Sequence, residues 1–101
     1  MDAETVERLI GQLRDIEAAV RQRAASALAE LGPLGAAALP ALIKALDDRS
    51  CGVRRRAAEA LGQIGAAAGQ ALPALTRATR DPIHTVRNAA WAAIERIRPR
   101  R

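Results

Sequence analysis

The sequence predicts an all-α chain built from three copies of one helix pair. Three observations carry that expectation. First, Val20, Val53 and Val86, then Leu28, Leu61 and Ile94, then Leu31, Ile64 and Ile97 recur every 33 residues without insertion. A fixed period of roughly 20–50 residues marks an array of stacked units. Second, apolar residues inside each unit fall at the i, i+3, i+4 and i+7 spacing of one helix face. Third, the punctuation repeats in register: Asp15, Asp48 and Asp81 between the paired segments, Gly32 and Gly65 at the ends of units, and Pro40 matched by Pro73.

In order, residues 3–14 read as the first helix, with Val6, Leu9, Ile10 and Leu13 on one face and Asp2, Glu4 and Glu7 near the positive end of its dipole. Asp15 marks a turn. Residues 17–31 read as the second helix, with Val20, Ala24, Ala27, Leu28 and Leu31 inward, and Gly32-Pro33 ends it. Residues 36–47 form the first helix of the second unit, with Leu39, Leu42, Ile43 and Leu46 inward and Pro40 near the start, where proline costs little. Residues 50–64 follow as its partner. The third unit runs from Gly69 to Ile97, with Asp81 expected as an N-cap and Pro82 as the first helical residue. Gly62, Gly65 and Gly69 are expected to end a helix and open a linker. The tail Arg98-Pro99-Arg100-Arg101 is expected to fray. A single domain over 1–101 results, with repeats of approximately 1–33, 34–66 and 67–99. Neither helix of a pair hides its apolar face alone, so stacking must bury the core.

Composition sets further bounds. The chain has 101 residues, a formal charge of +5 and a pI near 11.2. It contains one Trp and no Phe or Tyr, so its core must come from Leu, Ile, Val and closely approaching Ala. Cys51 is the only cysteine, which excludes an internal disulfide and fits a reducing cytoplasm. The acidic, polar start does not read as a signal peptide. No apolar run approaches the ~18 residues that suggest a membrane span.

The segment Leu42–Gly65, with its Leu-Ile start, Asp48, Val53-Arg54, Ala57-Ala58 and Leu61-Gly62-Gln63-Ile64-Gly65, resembles the HEAT repeat in its bacterial, phycobilisome-lyase-like form. The first unit is nearly as close. The third departs: Thr76 and Thr79 replace Ile43 and Leu46, and Trp91 replaces Ala58. The resemblance covers essentially the whole chain. It implies a right-handed α-solenoid of three antiparallel helix hairpins, six helices in all, with the second helix of each repeat lining a concave surface that holds a protein partner. It also implies a ladder in which Asp and Arg link neighbouring repeats. Asp15 and Arg21, Asp48 and Arg54, and Asp81 and Arg87 each stand six residues apart. Three carboxylates in a row could otherwise be catalytic or metal-binding, but each arrives with its own Arg, whose fork suits a carboxylate. Three arginines are thereby assigned to architecture.

The other basic residues outline a candidate surface. At about 100° per residue, Arg55 and Arg56 lie opposite the Val53–Ile64 stripe. Gln22 and Arg23 match them upstream, and Asn88 and Ala89 downstream, so the face is basic at its centre and fades toward the C-terminus, interrupted by Glu30 and Glu59. It reads as an ordinary solvated face or as a site for an acidic partner; Arg nearly throughout favours bidentate contacts. Trp91, where Ala25 and Ala58 stand in the other units, reads as an end cap or as a partner anchor. The expected function is a non-enzymatic scaffold binding a protein with an acidic surface through Gln22, Arg23, Arg55, Arg56, Glu59 and Asn88, with Trp91 at the edge. The alternatives are phosphate-backbone binding to nucleic acid through the same arginines, although single-strand binders need more aromatic platforms than one Trp, and an auxiliary role in a tetrapyrrole–protein lyase, which rests on the family name. The arginine tail could also touch an anionic membrane or RNA.

No catalytic residue, metal site or cofactor is expected. His84 and Cys51 sit in different repeats, whereas structural zinc needs four ligands. Ser26 and Ser50 have no base nearby in the repeat, and the glycines follow no strand, so the nucleotide-loop reading fails its context.

Overall fold

A computed structural model describes residues 3–98. Its α-helices are α1 (Ala3–Gln12), α2 (Ala18–Leu31), α3 (Leu39–Ala45), α4 (Cys51–Ile64), α5 (Leu72–Ala78) and α6 (His84–Ile97), with 3-10 segments over Gly32–Ala38 and Gly65–Ala71. Asp2 and residues Pro99, Arg100 and Arg101 of the expected frayed tail lie outside the described residues. No strand occurs among the described residues.

Each helix has a local cause. α1 places Val6 and Leu9 inward and carries Glu4 in its first turn. Prolines 40 and 73 stand in the first turns of α3 and α5, where a missing N–H removes no helical bond. Ser50 caps α4, its Oγ accepting from Val53 N at 3.5 Å. The expected roles of Asp81 and Pro82 are corrected: α6 begins at His84 with Ile83 at its N-cap. Asp81 works two residues earlier, where its Oδ1 accepts the Ile83 N–H at 2.9 Å and folds the turn back on itself. Asp15 and Asp48 do the same for Glu17 N and Ser50 N, each at 2.9 Å.

The junctions between units also differ from the expected linkers. Gly32 and Gly65 take φ of 57° and 80°, the left-handed region that side chains disfavour, and the chain then runs directly into a 3-10 segment. The first helix of units two and three is therefore split, the 3-10 part leading into a shorter α part than the expected 36–47. Gly62 ends nothing: it is buried inside α4, and a Cβ there would stand 3.0 Å from Ala93 Cα and 3.2 Å from Ala93 Cβ of α6. Counted as one run, Ala18–Ala45 is long and apolar enough to cross a membrane by length and composition. The expectation of no such run overlooked the alanines; Gly32 turns the backbone in its middle, and Leu28 and Leu42 are enclosed in the core.

α1 packs on α2, α3 on α4 and α5 on α6, while α4 lies between α2 and α6. The body measures 36 × 29 × 17 Å, its thinnest dimension that of two helix layers. Leu28, Leu42, Leu61, Leu75, Val53 and Val86 are fully buried along its centre. Ala25 and Ala58, the counterparts of Trp91, are as fully enclosed. Of the expected α2 stripe, Ala24 and Leu28 are buried, but Val20, Ala27 and Leu31 are only half-buried. Their counterparts Val53, Ala60 and Ile64, and Val86, Ala93 and Ile97, are all buried, because a preceding repeat covers them.

The close helix approach at Gly62 yields a direct test. Gly62→Val should lower stability by about 1–3 kcal/mol through overpacking against Ala93, despite the better helix propensity of Val over Gly. Thermal melts followed by circular dichroism would reveal it, and an unchanged midpoint would refute the close approach.

Candidate protein-binding face and the arginine ladder

The second helices α2, α4 and α6 bring equivalent residues into rows: Gln22, Arg55 and Asn88; Arg23, Arg56 and Ala89; Ser26, Glu59 and Ala92. Arg23, Asn88 and Trp91 are exposed, and Gln22, Arg55, Arg56 and Glu59 are half-buried. Contacts join only some of them. Both central arginines converge on Glu59, with Arg56 Nη1 at 3.1 Å and Arg55 Nη1 at 3.7 Å. Arg56 Nε is buried without an acceptor, while its Nη1 faces Glu59. The Gln22 amide lies over Gly52 of the next repeat, where any side chain would collide with it. Arg23 and Asn88 make no side-chain hydrogen bond or ion pair among the described residues. The central positive face is thus narrower than residue counting implies, because one carboxylate answers two arginines.

An open groove of about 650 Å³ lies elsewhere, beside the turns, lined by Leu13, Asp15, Ile16, Arg21, Lys44 and Asp48 among others. His84 and Cys51 are exposed, and no group of three or more His, Cys, Asp or Glu side chains comes together among the described residues.

The turns carry the ladder. Arg21 donates through Nε to Asp48 Oδ2 at 2.8 Å and through Nη2 to Asp48 Oδ1 at 3.0 Å. Arg54 grips Asp81 in the same way, at 2.7 and 3.1 Å. The pairing six residues apart is real but involves the main chain: Nη1 of Arg21, Arg54 and Arg87 donates to the carbonyl of Asp15, Asp48 and Asp81 at 2.7, 2.8 and 2.8 Å. Each carboxylate therefore belongs to the arginine of the preceding repeat. Among the described residues, only two of the three arginines assigned to architecture meet a carboxylate: Arg87 meets none, and the Asp15 carboxylate receives no arginine.

Burial alone would push the Asp48 and Asp81 carboxyls up. Hydrogen bonds from Arg21 or Arg54, the Ser50 or Ile83 N–H, and the guanidinium charges outweigh it and hold both below the ordinary carboxylate value. Arg21 and Arg54 are raised in turn, first by the hydrogen bond to their Asp.

Trp91 is 57% exposed, against full burial of Ala25 and Ala58 at the matching positions. Neither this exposure nor the absence of a carboxylate on Arg87 among the described residues was visible in the sequence, where Arg87 looked paired with Asp81.

A depressed folded carboxyl stabilises the fold above its unfolded value near 3.9 and loses that contribution as pH falls through the lowered folded value. Stability should therefore decline below about pH 4, and Asp81→Asn should cost about 1–3 kcal/mol at neutral pH while flattening that acid limb. Urea titrations across the acid range test both. Trp91→Ala should move stability by less than about 0.5 kcal/mol, as expected for a mostly exposed side chain; a larger loss in the same titration would show that the ring is packed.

The family model for HEAT repeats matches residues 6–95. Among solved structures the chain is similar to the crystal structure of an engineered protein, a Northeast Structural Genomics Consortium target, at 24% identity and a TM-score of 0.79. That match covers 96% of this chain and 46% of the other, so this chain spans about half its length, and the likeness concerns the fold alone. Comparison with curated proteins finds no match. With the family pattern running from α1 into α6, the chain belongs to the HEAT-repeat family.

Proposed function

We propose that this protein is a non-enzymatic interaction module, and that it holds a partner protein with an acidic surface on the face formed by α2, α4 and α6. HEAT repeats generally act as protein-interaction scaffolds, and the family is generally non-enzymatic. The proposal reads the paired helices as three antiparallel hairpins in a right-handed solenoid whose second helices line the concave side, and places the module in the cytoplasm.

The observation that carries this reading is the Arg55–Arg56–Glu59 cluster at the centre of the rows. Half-exposed ion pairs of this kind contribute about 1 kcal/mol or less, so a partner carboxylate can displace Glu59 at little cost. The arginines are held together on one rigid helix, which limits the ordering entropy that binding must overcome. Gln22, Arg23 and Asn88 supply the polar surround, and Trp91 borders it.

Arg55→Glu combined with Arg56→Glu should abolish capture of the partner from a nuclease-treated host lysate while leaving helicity intact; unchanged capture would sink the assignment. Glu59→Gln should tighten binding by about 3–10-fold, because it frees both guanidinium groups. If the captured species is instead nucleic acid, the logarithm of affinity will fall with the logarithm of salt by about 0.9 per phosphate contact on duplex DNA.

A further inference from the structure

Among the described residues, the flank of α6 turned away from α4 holds an unmatched half of the ladder. Arg87 takes the pose of Arg21 and Arg54, its Nη1 fixed by the Asp81 carbonyl at 2.8 Å. The two nitrogens that in Arg21 and Arg54 grip a carboxylate, Nε and Nη2, meet no acceptor in Arg87 among the described residues. Trp91 stands one helical turn further on the same flank of α6, 57% exposed.

A further repeat cannot occupy this face in the register of the internal ones. Trp91 and Glu95 replace Ala58 and Gly62, and at Gly62 even a Cβ would stand 3.0 Å from the next helix. The opposite end is equally altered. Arg8 and Gln12 replace Ala41 and Ala45, so a second copy arriving with Asp15 foremost would bring long polar side chains where alanine packs. The occupant must deliver a carboxylate without bringing a helix close.

We propose that the Arg87–Trp91 end face is a second binding site, distinct from the row of Arg55 and Arg56, and that it takes an extended acidic segment of a partner protein. One Asp or Glu is gripped bidentately by Arg87 Nε and Nη2, as Asp48 and Asp81 are gripped inside the stack. An adjacent apolar side chain lies on the Trp91 ring. Glu95, a further turn along, repels a second acid, so the segment carries one acid beside apolar residues and not an acidic run.

Trp91 is the only aromatic residue in the chain, so its emission reports on this face alone. A display library of short linear peptides is selected against the whole chain, and the enriched peptides are synthesised and titrated by fluorescence. Enriched peptides should share one acid next to an apolar residue and shift Trp91 emission saturably. Affinity should fall about ten-fold or more with Arg87→Gln, or with the peptide's acid changed to its amide. It should survive Arg55→Glu/Arg56→Glu, which separates this site from the proposed concave face. If melts show Arg87→Gln to be unfolded, Arg87→Lys supplies the test: it keeps the cation, loses the fork and should still bind several-fold more weakly. No enrichment, acid-free peptides, or full affinity in the folded Arg87 variant would overturn the proposal. So would a concentration-dependent dimer in sedimentation that Asp15→Asn and Arg87→Gln both abolish, since the occupant would then be a second copy.

Discussion

Each internal junction depends on one guanidinium that touches two repeats at once. Arg21 binds the carbonyls of its own turn, at Asp15 and Ile16, and the carboxylate of Asp48 in the next. Arg54 repeats this toward Asp81. Side chains that are 8–15% exposed lie between the surface case, where an ion pair contributes almost nothing, and the buried case, where desolvation offsets the attraction. What the bridge provides is geometry. A planar fork accepts one carboxylate orientation, and the same Asp organises the backbone entering the next helix, so turn, helix start and neighbour are set together.

Apolar burial supplies most of the energy, and small residues make that burial possible. Ala25 and Ala58 vanish into the junctions, and Gly62 lets α4 approach the backbone of α6 at Ala93. Without aromatic bulk the core gains contacts through backbone proximity, which makes it intolerant of added volume. The first and third repeats depart from this rule. Arg8 and Gln12 in one, and Trp91 and Glu95 in the other, occupy positions that are alanine or glycine in the second.

The described residues form a compact body with a polar face on α2, α4 and α6. Its central arginines are restrained by Glu59, which tempers their charge without removing it. HEAT repeats generally act as protein-interaction scaffolds, and the positions of this chain that depart from the repeat are the ones that distinguish its surface.

The sequence by itself determined the period, the helix pairing, most of the apolar stripe and the place of Pro40 and Pro73, because these follow from local periodicity and backbone chemistry. Membership of the HEAT family was legible in Leu42–Gly65 for the same reason. The rows of Gln22, Arg23, Arg55, Arg56 and Asn88 follow from the 33-residue period and a helical wheel alone. Only the tertiary structure decided the charge partners. Asp15 and Arg21 look paired at six residues, yet the carboxylate that Arg21 holds lies 27 residues away, because stacking carries the next turn alongside. It also decided that Gly62 is a packing residue and not a linker, that Glu59 answers two arginines, and that among the described residues Arg87 meets no carboxylate and Trp91 is exposed. Each of these depends on which surface a neighbouring repeat covers, and a residue's own local sequence does not contain that information.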